Sequence, residues 1–251
     1  AGQAIFGETP LGVRVFPVLS YAAVVPMVWR MGALATGDRA GGFWAALFYV
    51  LSALILSLGS FATPDAPSTL FWAMALWAMA EALTSRKPGW WLLAGLAVGL
   101  GVQSKFTNLF LGVGALVWLA GTVKGRAALR TWPPYAAAAV ALAAMVPLVW
   151  WNAANDWVGL ERQFGRITVG QPDPILPVVF LATTAAAFSP LLAAFAVGGV
   201  WRGCDPIRGL IAATSAPALA YLSWHAIQHD VEANWLIPLH PGFAVLAAMG
   251  V

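Results

Sequence analysis

Charge is what this sequence has least of. Of its 251 residues only 9% are Asp, Glu, Lys or Arg, whereas 61% are hydrophobic, and the mean hydropathy is +0.78. A soluble domain carries about a quarter charged residues. A water-soluble globule is therefore excluded, and an integral membrane protein is indicated. Cysteine is nearly missing too: Cys204 is the single thiol, which excludes an internal disulfide and says nothing of redox compartment. The chain shows no sequence repeat and no alternation of period two, which argues against a transmembrane β-barrel. The formal net charge of +3 is better explained by membrane topology than by binding to nucleic acid. The chain opens on Ala1 rather than Met, in a polar stretch without signal peptide or first anchor. It ends at Val251 inside an apolar run. The expectation is one transmembrane domain over 1–251, incomplete at both ends.

What is present is a series of long apolar runs and 14 tryptophans, a residue that collects at membrane interfaces. A span needs roughly 20 apolar residues, fewer where a helix is short or broken. Nine passes are read, at about 15–35, 42–62, 68–83, 90–104, 107–122, 133–151, 174–200, 209–224 and 235–251. The predicted fold class is all-α, a polytopic transmembrane bundle with a short extracytoplasmic amphipathic helix. The stretch 90–122 is divided because its 33 residues, as one helix, would run about 50 Å across a core of about 30 Å. It is also interrupted by "QSKFTN". With two passes, one side receives Arg30, Arg39, Arg86, Lys87, Lys124, Arg126, Arg130, Arg202 and Arg208. The other receives Arg14, Lys105, Arg162 and Arg166. Positive charge marks the cytoplasmic side. The other face then holds most of the carboxylates, with His225 and His229, and reads as a site facing the periplasm or exterior.

Four stretches carry candidate chemistry. In "TPDAPS", Asp65 lies between two prolines; it or Thr63 could cap the following span, without excluding a role in a site. Lys105 interrupts two short apolar helices, where its ammonium could snorkel or hold a phosphate. In "WWNAANDWVGLERQFGR", Trp157, Leu160, Phe164 and Ile167 recur at helical spacing. They predict an amphipathic surface helix with Arg162 and Arg166 on its polar side, preceded by Asn152 and Asp156 and including Gln163. In "HAIQHDVEANW", His225 and His229 with Asp230 or Glu232 could share a divalent metal. A polar loop using His229, Glu232 and Asn234 to hold sugar hydroxyls or a headgroup is the favoured alternative. No cofactor is required by these residues.

With these stretches in order, the chain resembles polytopic glycosyltransferases of the GT-C type. The likeness is to the bacterial branch of the dolichyl-phosphate-mannose protein mannosyltransferase family, which includes the lipid A aminoarabinose transferase. It rests on "FGETPLGVRVFP", "ATPDAPSTLFWAMALWAMA", "GLAVGLGVQSKFTNLFL", "WWNAANDWVGLERQFGR" and "EANWLIPLHPGFAVLAA". The resemblance implies transfer of a sugar from a polyprenyl-phosphate carrier to a glycan, lipid or protein acceptor on the outer side of a bacterial inner membrane. It makes Asp65 the candidate catalytic carboxylate and Lys105, Arg14 and Arg166 the candidate phosphate-binding cations. It also implies that the family's principal catalytic acid lies upstream of residue 1, leaving Asp65 to orient substrate or a neighbouring cation. A transporter or lipid flippase is the alternative; it predicts inverted repeats or matched broken helices. One clear break, at 104–108, is legible. A purely structural membrane protein would not need charges gathered on one outer face.

Overall fold

The computed structural model describes residues 2–165, 172–201 and 205–251, in which all regular structure is helical. The helices are α1 (Gly2–Phe6), α2 (Pro10–Thr36), α3 (Arg39–Val50), α4 (Ala53–Leu58), α5 (Asp65–Ser85), α6 (Pro88–Ser104) and α7 (Leu109–Gly121). They continue with α8 (Val123–Leu129), α9 (Pro133–Ala154), α10 (Val158–Phe164), α11 (Leu176–Phe188), α12 (Pro190–Trp201), α13 (Pro206–His225) and α14 (His240–Gly250). Two 3₁₀ segments, Phe106–Asn108 and Ala233–Leu239, complete the order. By length and apolarity α2 and α9 can each cross a membrane, and two bent pairs, Phe106–Gly121 with α8 and α11 with α12, add up to two more.

Local chemistry sets the ends. Thr9 accepts a hydrogen bond from Gly12 N at 3.1 Å ahead of Pro10, and α2 stops at Gly37, whose φ of 81° suits glycine. Asp38 caps α3 by accepting from Gly41 N at 2.7 Å, and Asp205 caps α13 by accepting from Ile207 N at 2.7 Å. Two expectations change here. The pass at 42–62 is divided at Leu51–Ser52, and that at 174–200 bends by 95° where Ser189, with φ of 83°, meets Pro190. Pro190 cannot donate to the ladder, and its ring clashes with the preceding turn. The break at 104–108 is therefore one of several.

Packing uses small residues, because lipid offers helices no hydrophobic incentive to associate and close approach must supply the attraction. A Cβ on Gly95 or Gly99 of α6 would strike Ala137 or Ala141 of α9, and one on Gly114 of α7 would strike Ala213 of α13. These contacts also give direction. Gly112 of α7 faces Val98 of α6, and both helices line one apolar groove. α7 therefore runs back along α6, as the division of 90–122 requires. Trp77 of α5 meets Trp90 of α6 (centroids 5.0 Å apart), so this pair is also antiparallel. Its consequence is that the start of α5 and the end of α6 share one end of the bundle. At the opposite end Arg30 donates to both carboxylate oxygens of Glu81, at 2.5 and 3.3 Å.

Candidate functional site

Asp65 is the first residue of α5, and its carboxylate caps nothing. Pro64 occupies the N-cap position without a side-chain hydrogen bond, which corrects the capping reading of Asp65 and Thr63. The helix starts three residues earlier than Ser68, and the negative charge still gains from the positive end of the helix dipole. One oxygen, Oδ1, receives a hydrogen bond from Lys105 Nζ at 2.5 Å; the other, Oδ2, receives one from Asn234 Nδ2 at 3.1 Å. The Asp65 side chain is 4% exposed and that of Lys105 is 21% exposed. The ion pair is thus closed on the carboxylate side and open on the ammonium side. An ammonium has three donors, and Asp65 takes one.

Lys105 reaches this position because the chain leaves α6 there. Its backbone is extended (φ −158°, ψ 129°), and its N–H donates to Gly101 O at 2.9 Å. The following 3₁₀ turn is pinned by Asn108, which is 1% exposed and donates through Nδ2 to Ser68 Oγ at 2.5 Å. Ser68 stands one turn after Asp65 and Asn108 one turn after Lys105, so two rungs join the same two helix ends. The sequence reading missed this second rung. The i, i+3 spacing of Asp65 with Ser68 and Lys105 with Asn108 was its available signal.

These groups border a cleft of about 380 Å³ lined by Thr63, Pro64, Asp65, Ser104, Lys105, Phe106, Gln163, Asn234 and Trp235. That is within the range of small-molecule sites, about 300–1,000 Å³. A second cleft of about 570 Å³, mostly apolar, lies between α2 and the start of α5 and shares Thr63 with the first.

The other predicted residues divide. Gln163 and Asn234 join Asp65 and Lys105 in the cleft. Asn152 does not act from a loop: it is 1% exposed, donates to Leu148 O at 2.9 Å and accepts from Leu160 N at 3.2 Å, docking α10 on α9. Asp156 and Trp157 form the turn between them, both with positive φ (51° and 59°), and Asp156 is exposed. Arg162 is exposed on α10. Arg14 is exposed on α2 and lines neither cleft, so it is not grouped with Lys105. Glu232 is exposed and precedes the second 3₁₀ segment. His229 stacks on His225 with centroids 4.7 Å apart, and among the described residues no three His, Cys, Asp or Glu side chains are grouped to hold a metal. Arg166 lies outside the described residues, as do Ile167, Arg202 and Cys204.

Relatives share both sequence and fold. Residues 1–151 match the family described as dolichyl-phosphate-mannose-protein mannosyltransferase. An undecaprenyl phosphate-alpha-4-amino-4-deoxy-L-arabinose arabinosyl transferase of Pseudomonas paraeruginosa is 33% identical over 161 residues, 59% of this chain and 28% of that protein. The lipid A galacturonosyltransferase RgtD of Rhizobium johnstonii is 24% identical over 251 residues, 94% of this chain and 50% of that protein. The chain thus spans half or less of the length of these relatives. The crystal structure of ArnT from Cupriavidus metallidurans bound to undecaprenyl phosphate superposes on 99% of this chain and 47% of its own, with a TM-score of 0.79 at 16% identity. The fold is therefore shared with ArnT. On the match over its first 151 residues, this membrane protein belongs to the dolichyl-phosphate-mannose-protein mannosyltransferase family.

Proposed function

We propose that the chain supplies the lipid-phosphate side of a membrane glycosyltransferase, which moves a sugar from a polyprenyl-phosphate carrier to an acceptor outside the cytoplasm. The observation that carries this reading is the Lys105–Asp65–Asn234 group at the mouth of the cleft. The acceptor hydroxyl attacks the anomeric carbon, and the bond from that carbon to the phosphate oxygen breaks. The electron pair goes to the phosphate, where negative charge builds. Lys105, with two donors not used by Asp65, stabilises that charge in a partly dry setting where electrostatics are strong. Asp65 has both oxygens engaged, so its role is to hold the ammonium in place. The acceptor's proton goes to a different carboxylate.

The relatives' names support the donor class, since the arabinosyl transferases carry undecaprenyl phosphate in theirs and ArnT was solved with that lipid bound. RgtD's name supports a lipid A-type acceptor. Nine passes follow if α3 with α4 and α11 with α12 each count as one broken pass, and α8 and α10 lie at the surface. The cleft then faces the periplasm, because Arg30, Arg39, Arg86, Lys87, Lys124, Arg126, Arg130 and Arg208 fall at the opposite end.

The test is binding of undecaprenyl phosphate to the purified full-length chain in detergent. Lys105→Ala should weaken binding about tenfold or more, and Lys105→Arg should keep part of it because charge survives while geometry changes. Unchanged affinity in Lys105→Ala would make this lysine an interfacial anchor. Release of bare undecaprenyl phosphate from a sugar-loaded donor separates transfer from transport, in which that carbon–oxygen bond stays intact.

A further inference from the structure

Trp235 differs from the exposed tryptophans at the membrane boundaries. Trp132, Trp150 and Trp201 are 61%, 71% and 82% exposed, as belt residues facing lipid are. Trp235 is half-buried and lines the Asp65–Lys105 cleft. Its indole lies against His225, with centroids 5.6 Å apart and planes 32° from parallel. His225, 5% exposed, is in turn stacked on Tyr221 at 5.8 Å, and Tyr221 packs on Phe110 at 5.1 Å. A chain of rings drawn from α13 and α7 thus packs on the indole. The next residue back is fixed as well: Asn234 donates to Asp65, and Trp235 N donates to Glu232 O at 3.0 Å. An aromatic ring held on both counts, beside a cation in a cleft, is built to present a surface rather than to float at an interface.

We infer that Trp235 is the sugar platform of this cleft: a pyranosyl group on a polyprenyl phosphate lays its C–H face on the indole while Lys105 holds the phosphate. This rests on the donor reading given above. The chemistry is complementary. The face of an aromatic ring is negative, whereas the axial C–H groups of a pyranose are weakly positive and cannot hydrogen-bond well. The sugar's hydroxyls project sideways, toward the amides of Gln163 and Asn234 in the same lining. Asn234 spends an N–H on Asp65 and keeps its carbonyl oxygen as an acceptor. The platform thereby gives the site a means of preferring loaded carrier over spent carrier, which a phosphate-binding lysine alone lacks.

The experiment compares bare undecaprenyl phosphate with undecaprenyl phosphate bearing glucose, galactose or 4-amino-4-deoxy-L-arabinose, each titrated onto the full-length chain in detergent. The wild type should hold at least one loaded lipid more tightly than the bare one. Trp235→Leu, which keeps apolar bulk without a π face, should erase that preference, about tenfold, and leave affinity for the bare lipid unchanged. Trp235→Phe should retain part of it. A wild type with no preference, or a Trp235→Leu variant with the wild-type preference, would overturn the platform. So would equal weakening toward all lipids, which marks a structural role. Failure of the wild type to bind any of these lipids would instead sink the donor reading, and the platform with it.

Discussion

At the scale of single residues, Asp65 and Lys105 form one unit. Asp65 is nearly buried, so removing its charge leaves an ammonium in a cleft without its counter-ion, and removing Lys105 leaves a buried carboxylate. Breaking such a pair costs more than forming it gains. Thermal unfolding of Asp65→Asn, Lys105→Met and the double variant should therefore be non-additive, with a coupling of about 1 kcal/mol or more. Additive losses would mean that the two side chains act separately. Asp65→Asn should also lose most donor binding, since a mobile ammonium is a poorer phosphate partner than a fixed one. Arg30–Glu81 is the useful contrast. It is bidentate, with Arg30 44% exposed and Glu81 8% exposed, and it lies away from the cleft. Arg30→Gln leaves the Glu81 carboxylate buried without its counter-ion and should lower the midpoint of thermal unfolding, while lipid affinity should not move.

At the scale of helices, close approach by glycine decides position. The Cα atoms of Gly95 and Gly99 allow α6 to lie against the α9 backbone, and Lys105 directly follows the end of α6. Gly95→Val should force the two helices apart at a cost of about 1–3 kcal/mol, as overpacking does, read as a lowered midpoint of thermal unfolding. The same displacement should weaken lipid binding without any change in the cleft's own residues. Asn152 plays the corresponding part for α10. Its amide links α9 to Leu160, and α10 carries Gln163 into the cleft. Asn152→Ala should cost about 1–2 kcal/mol for the lost buried hydrogen bonds, and hydrogen exchange over 158–164 should quicken ahead of the rest. Protection equal to wild type there would show that α10 is held by other contacts.

At the scale of the whole molecule, the cleft and the basic loops occupy opposite ends. In a Cys204→Ser background, a membrane-impermeant thiol reagent added from outside should label cysteine introduced at Asp156 or Glu232 and spare one at Lys124; all three native residues are exposed. The reverse pattern would place the cleft in the cytoplasm and overturn the proposed direction of transfer. The sequence by itself determined the membrane class and the approximate positions of the helices. Those features are local: span length follows from bilayer thickness and needs no partner. The tertiary structure alone decided what the polar residues do. Asp65 meets Lys105 across 40 positions and Asn234 across 169, so no local pattern could distinguish a helix cap from one member of an ion pair. Asn152 and Gln163 stand in one stretch, yet one docks a helix and the other lines the cleft. Arg14, which the resemblance groups with Lys105, lies outside the cleft. The physical reason is common to all three cases. Which side chains face one another depends on how closely and in which direction the helices pack, and that is set by contacts between segments distant in sequence, such as Gly95 against Ala137.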